Sequence, residues 1–130
     1  MKTVFEKIID GEIPATKVYE DDKCLAFIDI SPQSKGHLLL VPKEKVGRIQ
    51  FVPDDLLKYL IIKSKEIITA MISSIGCDYV QVEIVGIGVP DHLHIHLIPR
   101  SNDEPIPESP IKKYEEGEKE QIAQKIKAYL

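Results

Sequence analysis

His92-Leu93-His94-Ile95-His96-Leu97-Ile98 decides the reading of this chain. Extended backbone sends successive side chains to opposite faces, so a strand here puts three histidines on one side and Leu93, Ile95 and Leu97 on the other. In a helix the same spacing would scatter the imidazoles around the axis and leave the aliphatic residues without a stripe. The heptapeptide therefore predicts a strand whose apolar face meets the core while three imidazoles line the opposite surface. Three of the four histidines of the chain lie within these few residues, and His37 is the fourth.

Working outward, Gly86-Ile87-Gly88-Val89-Pro90-Asp91 breaks the chain just upstream, and Val80, Val82 and Ile84 alternate with Gln81 and Glu83 as a fourth strand before it. Residues 53–75 read as the main helix: Leu56, Leu57, Leu60, Ile61, Ile67, Ile68, Met71, Ile72 and Ile75 recur at three- and four-residue spacing, with Pro53-Asp54-Asp55 at the start and Gly76 at the stop. A short helix is expected near residues 5–9 and a hairpin from strands at 17–19 and 24–30. A third strand at 37–41 follows the Ser31-Pro32-Gln33-Ser34-Lys35-Gly36 loop. The triad strand should end at Pro99. Residues 101–110 form a proline-rich linker to a tail, 114–130, whose Ile122, Ile126 and Leu130 predict a terminal amphipathic helix. The fold class is α+β, an antiparallel five-stranded sheet with one long helix. Residues 1–100 form the domain, and 101–130 are a linker and helix packed on it or on a dimer partner.

With 130 residues, 43% hydrophobic and 29% charged, the chain suits one packed domain. A net charge of −4 with 17 basic residues excludes an extended nucleic-acid footprint but not a mononucleotide. The absence of tryptophan argues against a base-stacking platform for single strands. Apolar runs such as Leu38 to Val41 are far shorter than the roughly 20 residues a membrane helix needs. Residues 1–6 carry no secretory apolar core, so a cytoplasmic location is expected. Cys24 and Cys77 are far apart and match no disulfide or metal pattern, and they are read as core thiols.

Three chemistries compete for the histidines. The blandest is a solvated strand face, which so dense a cluster of a rare residue disfavours. A zinc site is the second, but the outer pair of an i, i+2, i+4 strand is separated by roughly 13 Å of rise, too far for both to reach one ion undistorted. The third is nucleophilic and acid–base work. Imidazole attacks phosphorus well, and flanking imidazoles can orient it or pass protons near neutral pH.

The motif matches the signature of the histidine triad superfamily, alternating histidine with hydrophobic residues. The likeness extends upstream through Phe5 to Ala15, Val18-Tyr19-Glu20-Asp21-Asp22, Leu25 to Pro32 and Gly36-His37-Leu38-Leu39-Leu40-Val41-Pro42-Lys43. Running from Phe5 to Arg100, it resembles the Hint branch of nucleotide-binding purine phosphoramidases more than the dinucleoside polyphosphate hydrolases. The resemblance implies a sheet continued across a homodimer, no required metal, and hydrolysis of the bond between a nucleoside monophosphate and an amine or similar leaving group. It makes His94 the nucleophile that becomes nucleotidylated, with His92 and His96 as helpers and His37 at the phosphate end. Asp29 would take the ribose hydroxyls, and Ile30, Phe5, Ile8, Phe27 and Leu39 would line the base slot. From the residues alone, Asp29 could equally cap its own turn, and Phe5 and Ile8, one helical turn apart, could be ordinary core.

The likeness fails just before the triad. Family members carry an Asn and then a Gly-rich turn with Gln and Ser or Thr donors, where this chain has Val85-Gly86-Ile87-Gly88-Val89-Pro90-Asp91. Backbone N–H groups of Gly88 and Val89 remain as phosphate donors, whereas Pro90 offers none and Asp91 adds an anion. The tail also departs from the family pattern. Two functional classes therefore stand, a nucleotidyl hydrolase working through His94 and a nucleotide-binding regulatory protein with little turnover. A histidine-ligated zinc protein is a distant third.

Overall fold

The computed structural model describes residues 2–85, 92–104 and 112–130. Its elements are α1 (Val4–Ile9), β1 (Lys17–Glu20), β2 (Cys24–Ile28), β3 (Leu38–Pro42), a 3-10 turn at Ile49–Phe51, α2 (Asp54–Ile75), β4 (Tyr79–Ile84), β5 (Ile95–Arg100) and α3 (Glu118–Lys127). The five strands form one sheet in the order β1-β2-β3-β5-β4, and every neighbouring pair is antiparallel. The fold is the α+β architecture expected. No helix among the described residues is long and apolar enough to cross a membrane.

The period-2 geometry of the central strands sorts their side chains into two layers. Cys24, Ala26, Ile28, Leu38, Leu40, Ile95 and Leu97 join Leu60, Ile67 and Met71 of α2 in the larger core. Leu25, Phe27, Leu39 and Val41 face the other way and meet Phe5 and Ile8 of α1. Because both faces are covered, β2 and β3 are buried throughout and read as continuous apolar runs rather than alternating ones. α2 ends at Gly76, whose φ of 79° gives the left-handed cap that glycine supplies without strain.

Several boundaries differ from the sequence reading. β2 stops at Ile28, so Asp29 and Ile30 lie beyond the strand. β5 begins at Ile95, which leaves His92 and His94 just ahead of it, though Leu93 still points into the larger core. It also runs through Pro99. Among the described residues only β4 pairs with β5 at that level, and the Pro99 carbonyl turns the other way to accept from the Ser34 hydroxyl. The missing N–H of Pro99 thus removes no ladder bond.

The tail helix is shorter than expected. Tyr114 lies in irregular backbone and α3 covers only Glu118–Lys127. Ala123 and Ile126 are buried in the main core, where α3 packs against α2 and β1 of the same chain. Cys24 is fully buried and Cys77 only half-buried.

Candidate active site

His92 and His94 each have a ring nitrogen tied to a carbonyl, and His37 has one tied to a backbone N–H, which assigns the tautomers of the neutral rings. His94 Nδ1 lies 2.9 Å from the His92 carbonyl, which can only accept. Nδ1 therefore carries the proton and Nε2 keeps its lone pair. His92 Nε2 donates to the Pro42 carbonyl at 2.8 Å. Its Nδ1 must then accept, and Thr3 Oγ1 is 3.1 Å away. That hydroxyl also caps α1 by accepting from Glu6 N, while the Glu6 carboxylate accepts from Thr3 N. The reciprocal cap satisfies two otherwise orphan donors of the first turn. One threonine thus fixes both the start of α1 and the orientation of His92.

The third and fourth histidines form a relay. The Gln33 backbone N–H donates to His37 Nδ1 at 3.1 Å, so neutral His37 carries its proton on Nε2. That nitrogen is 2.9 Å from His96 Nδ1 and 3.5 Å from Asp29 Oδ2. With His37 donating to His96 Nδ1, His96 bears its own proton on Nε2. Desolvation pushes His37 down to about 4, with the charges of His96 and Arg100 adding and Asp29 opposing. Burial likewise lowers His96 and His92. His37, His92 and His94 are buried, which contradicts a solvated strand face.

The apolar side of the site is a cleft of about 200 Å³ lined by Phe5, Ile8, Phe27, Asp29, Ile30 and Leu39 among others. All six residues expected for a nucleoside slot are therefore together. Phe5 joins the cleft to the histidines: its ring centroid is 5.0 Å from that of His94 and 6.1 Å from that of Phe27. Ile30 is 76% exposed and sits at the rim. Asp29 caps its own turn, Oδ1 accepting from Ser31 N, while Oδ2 faces His37. Gly88 and Val89 lie outside the described residues.

Asp29, His37 and His96 place ligand atoms within 4.8 Å of one another, yet the hydrogen bonds fit a cation poorly. A metal on His37 Nε2 would need either an imidazolate or loss of the Gln33 N–H bond to Nδ1, whereas metal-bound histidines normally donate from their second nitrogen. Sequence reasoning missed Thr3, Gln33, Arg100 and Tyr114. Thr3-x-x-Glu6 is a legible capping box, but nothing in the spacing points it at His92. The backbone donor of Gln33 has no sequence signal at all.

Comparison with known proteins gives the family of the chain. A family model for the HIT domain matches residues 10–103. An uncharacterized HIT-like protein of Methanocaldococcus jannaschii is 42% identical over 102 residues, 75% of this chain and 78% of that protein. The adenosine 5'-monophosphoramidase hnt1 of Schizosaccharomyces pombe is 34% identical over 105 residues, 80% of this chain and 78% of that enzyme. The crystal structure of a Hit-like protein from Bartonella henselae superposes with a TM-score of 0.89 at 32% identity, covering 98% of this chain and 95% of that one. The chain belongs to the HIT-domain family, whose relatives include nucleotide hydrolases.

Proposed function

We propose that this protein hydrolyses nucleoside 5'-phosphoramidates, or related nucleotidyl conjugates, at the α-phosphate through a nucleotidyl-His94 intermediate. The observation that carries this reading is the His94 Nδ1–H bond to the His92 carbonyl, which leaves Nε2 as a preformed nucleophile beside an apolar cleft. The nucleoside base would lie against Phe5, Ile8, Phe27, Ile30 and Leu39, with the ribose hydroxyls near Asp29. His94 Nε2 forms a bond to phosphorus as the P–N bond breaks, and the departing amine takes the proton from His96 Nε2. The positive charge on the nucleotidylated imidazole is stabilised by the His92 carbonyl. Water then attacks phosphorus, gives its proton to His96 Nε2 and releases His94. His37 supplies His96 Nδ1 with a hydrogen bond throughout, and His92 fixes the turn that aims His94.

The reaction is metal-free in this reading, supported by the direction of the Gln33 bond to His37. The protein acts in the cytoplasm as a homodimer, a reading supported by two free thiols and by the open edge of β4. The adjacent sequence Val85 to Asp91, lacking amide and hydroxyl side chains, favours the alternative of a binding protein with little turnover. Incubation of chelator-treated protein with adenosine 5'-phosphoramidate separates the two. Release of AMP by the wild type and a loss of at least about a thousandfold in His94→Ala are expected. Binding of AMP without turnover would favour the regulatory protein, and turnover only after zinc addition would favour the metal site.

A further inference from the structure

Arg100 ends β5 on the same strand face as His96 and is only 6% exposed. Its Nη2 donates to Gln33 Oε1 at 2.7 Å and its Nε to Gln81 Oε1 at 2.9 Å. Both partners are neutral amides. Burying a guanidinium against neutral amides is an expensive way to pin a loop, since the desolvated charge gains no carboxylate from either. What it pins is the residue whose backbone N–H meets His37 Nδ1.

We propose that Arg100 is a positioning residue, holding Gln33 so that its backbone N–H fixes the direction of the His37 to His96 proton relay. The proposal rests on the nucleotidyl-hydrolase reading of the same site. Were the relay reversed, His37 Nδ1 would carry the proton and His37 Nε2 would accept from His96 Nδ1–H. His96 Nε2 would then present a bare lone pair and could not protonate a leaving amine. The Gln33 N–H forbids that arrangement by setting a donor against a donor. The same clash disfavours the imidazolium form of His37.

The charges around His37 act in both senses. Arg100 and His96 disfavour its protonation and Asp29 favours it, while burial adds to the first group. The Tyr114 phenol, which accepts from Gly36 N in the adjoining turn, is itself pushed up to about 12 by burial and stays neutral. Arg100 therefore contributes twice to a neutral, singly oriented His37: through the loop it holds and through its charge.

The test uses Arg100→Met, which keeps length while removing charge and donors, and Gln33→Ala, which removes only the grip. Histidine ring nitrogen signals from 15N-labelled protein report the His37 tautomer without substrate. The wild type is expected to show one Nε2–H tautomer at neutral pH and both variants a mixture. Turnover is then compared for adenosine 5'-phosphoramidate and for an adenylate nitrophenyl ester, whose leaving group needs no proton. Phosphoramidate kcat should fall at least about tenfold in both variants while the ester changes less than about threefold. Unchanged tautomers in both variants, or equal loss with both substrates, overturn the proposal. If Arg100→Met does not fold, Gln33→Ala decides alone, because the Gln33 side chain is half-buried and its removal leaves Arg100 in place. Absence of turnover by the wild type, with the tautomer shift intact, would count against the hydrolase reading and leave the Arg100 to His37 link standing.

Discussion

At the scale of single residues, the site is organised by hydrogen bonds that leave only one choice of proton position. Carbonyl oxygens of His92 and Pro42 and the N–H of Gln33 each accept or donate without alternative. The Gln33 N–H and burial keep His37 neutral, whereas His92 is lowered by burial against the Pro42 carbonyl, which favours its charged form. The consequence for stability has a definite sign. His37 titrates near 6.5 when unfolded and near 4 when folded, so between these values the unfolded chain binds more protons. Stability is then complete above about 6.5 and declines as pH falls towards 4. Denaturant midpoints measured across this range should drop in the wild type and drop less in His37→Gln. An identical pH profile in the two proteins would show that His37 is not held neutral.

At the scale of elements, α1 and the loop before β3 bring the cleft and the histidines together. Thr3 caps α1 and bonds His92, and Phe5 on the same helix touches both His94 and Phe27. Gly36 has a φ of 97°, and a Cβ there would come within 2.7 Å of Ile75. Only glycine lets the turn into His37 pass so close to α2.

The two sheet edges differ. β1 is four residues long and its pairing is irregular between Lys17 and Tyr19, which discourages further pairing. β4 has six residues in unbroken register with β5 and exposes Val82 and Tyr79. It is the edge on which a second copy would extend the sheet. Light scattering at micromolar concentration should give a dimer for the wild type and a smaller species for Val82→Lys. A monomeric wild type would contradict the proposed assembly.

At the scale of the whole molecule, much of the architecture was legible because period-2 and period-3.6 patterns were strong. The alternation in residues 80–84 and 92–98 and the stripe of α2 gave the sheet and its helix. The irregular start of β5 was not legible, because the side-chain alternation continues through His92 and His94 although the ladder has not begun. The cleft residues followed from family likeness rather than pattern, since a buried face reads alike whether or not it opens to a ligand. Gln33 and Arg100 were invisible for a different reason: their part in the site depends on a loop folding back across the end of β5. The packing of α3 on its own chain likewise rests on Ala123 and Ile126 meeting the core, which a helical stripe cannot assign to one subunit or another.

The whole account turns on His94 as the group that takes the nucleotide. Acid-free quenching of chelator-treated wild-type protein during turnover of adenosine 5'-phosphoramidate, followed by peptide mass mapping, locates any adduct directly. An adenylyl group on His94, absent in His94→Ala, is the predicted result. Sustained AMP release by His94→Ala, or an adduct on another residue, would contradict it.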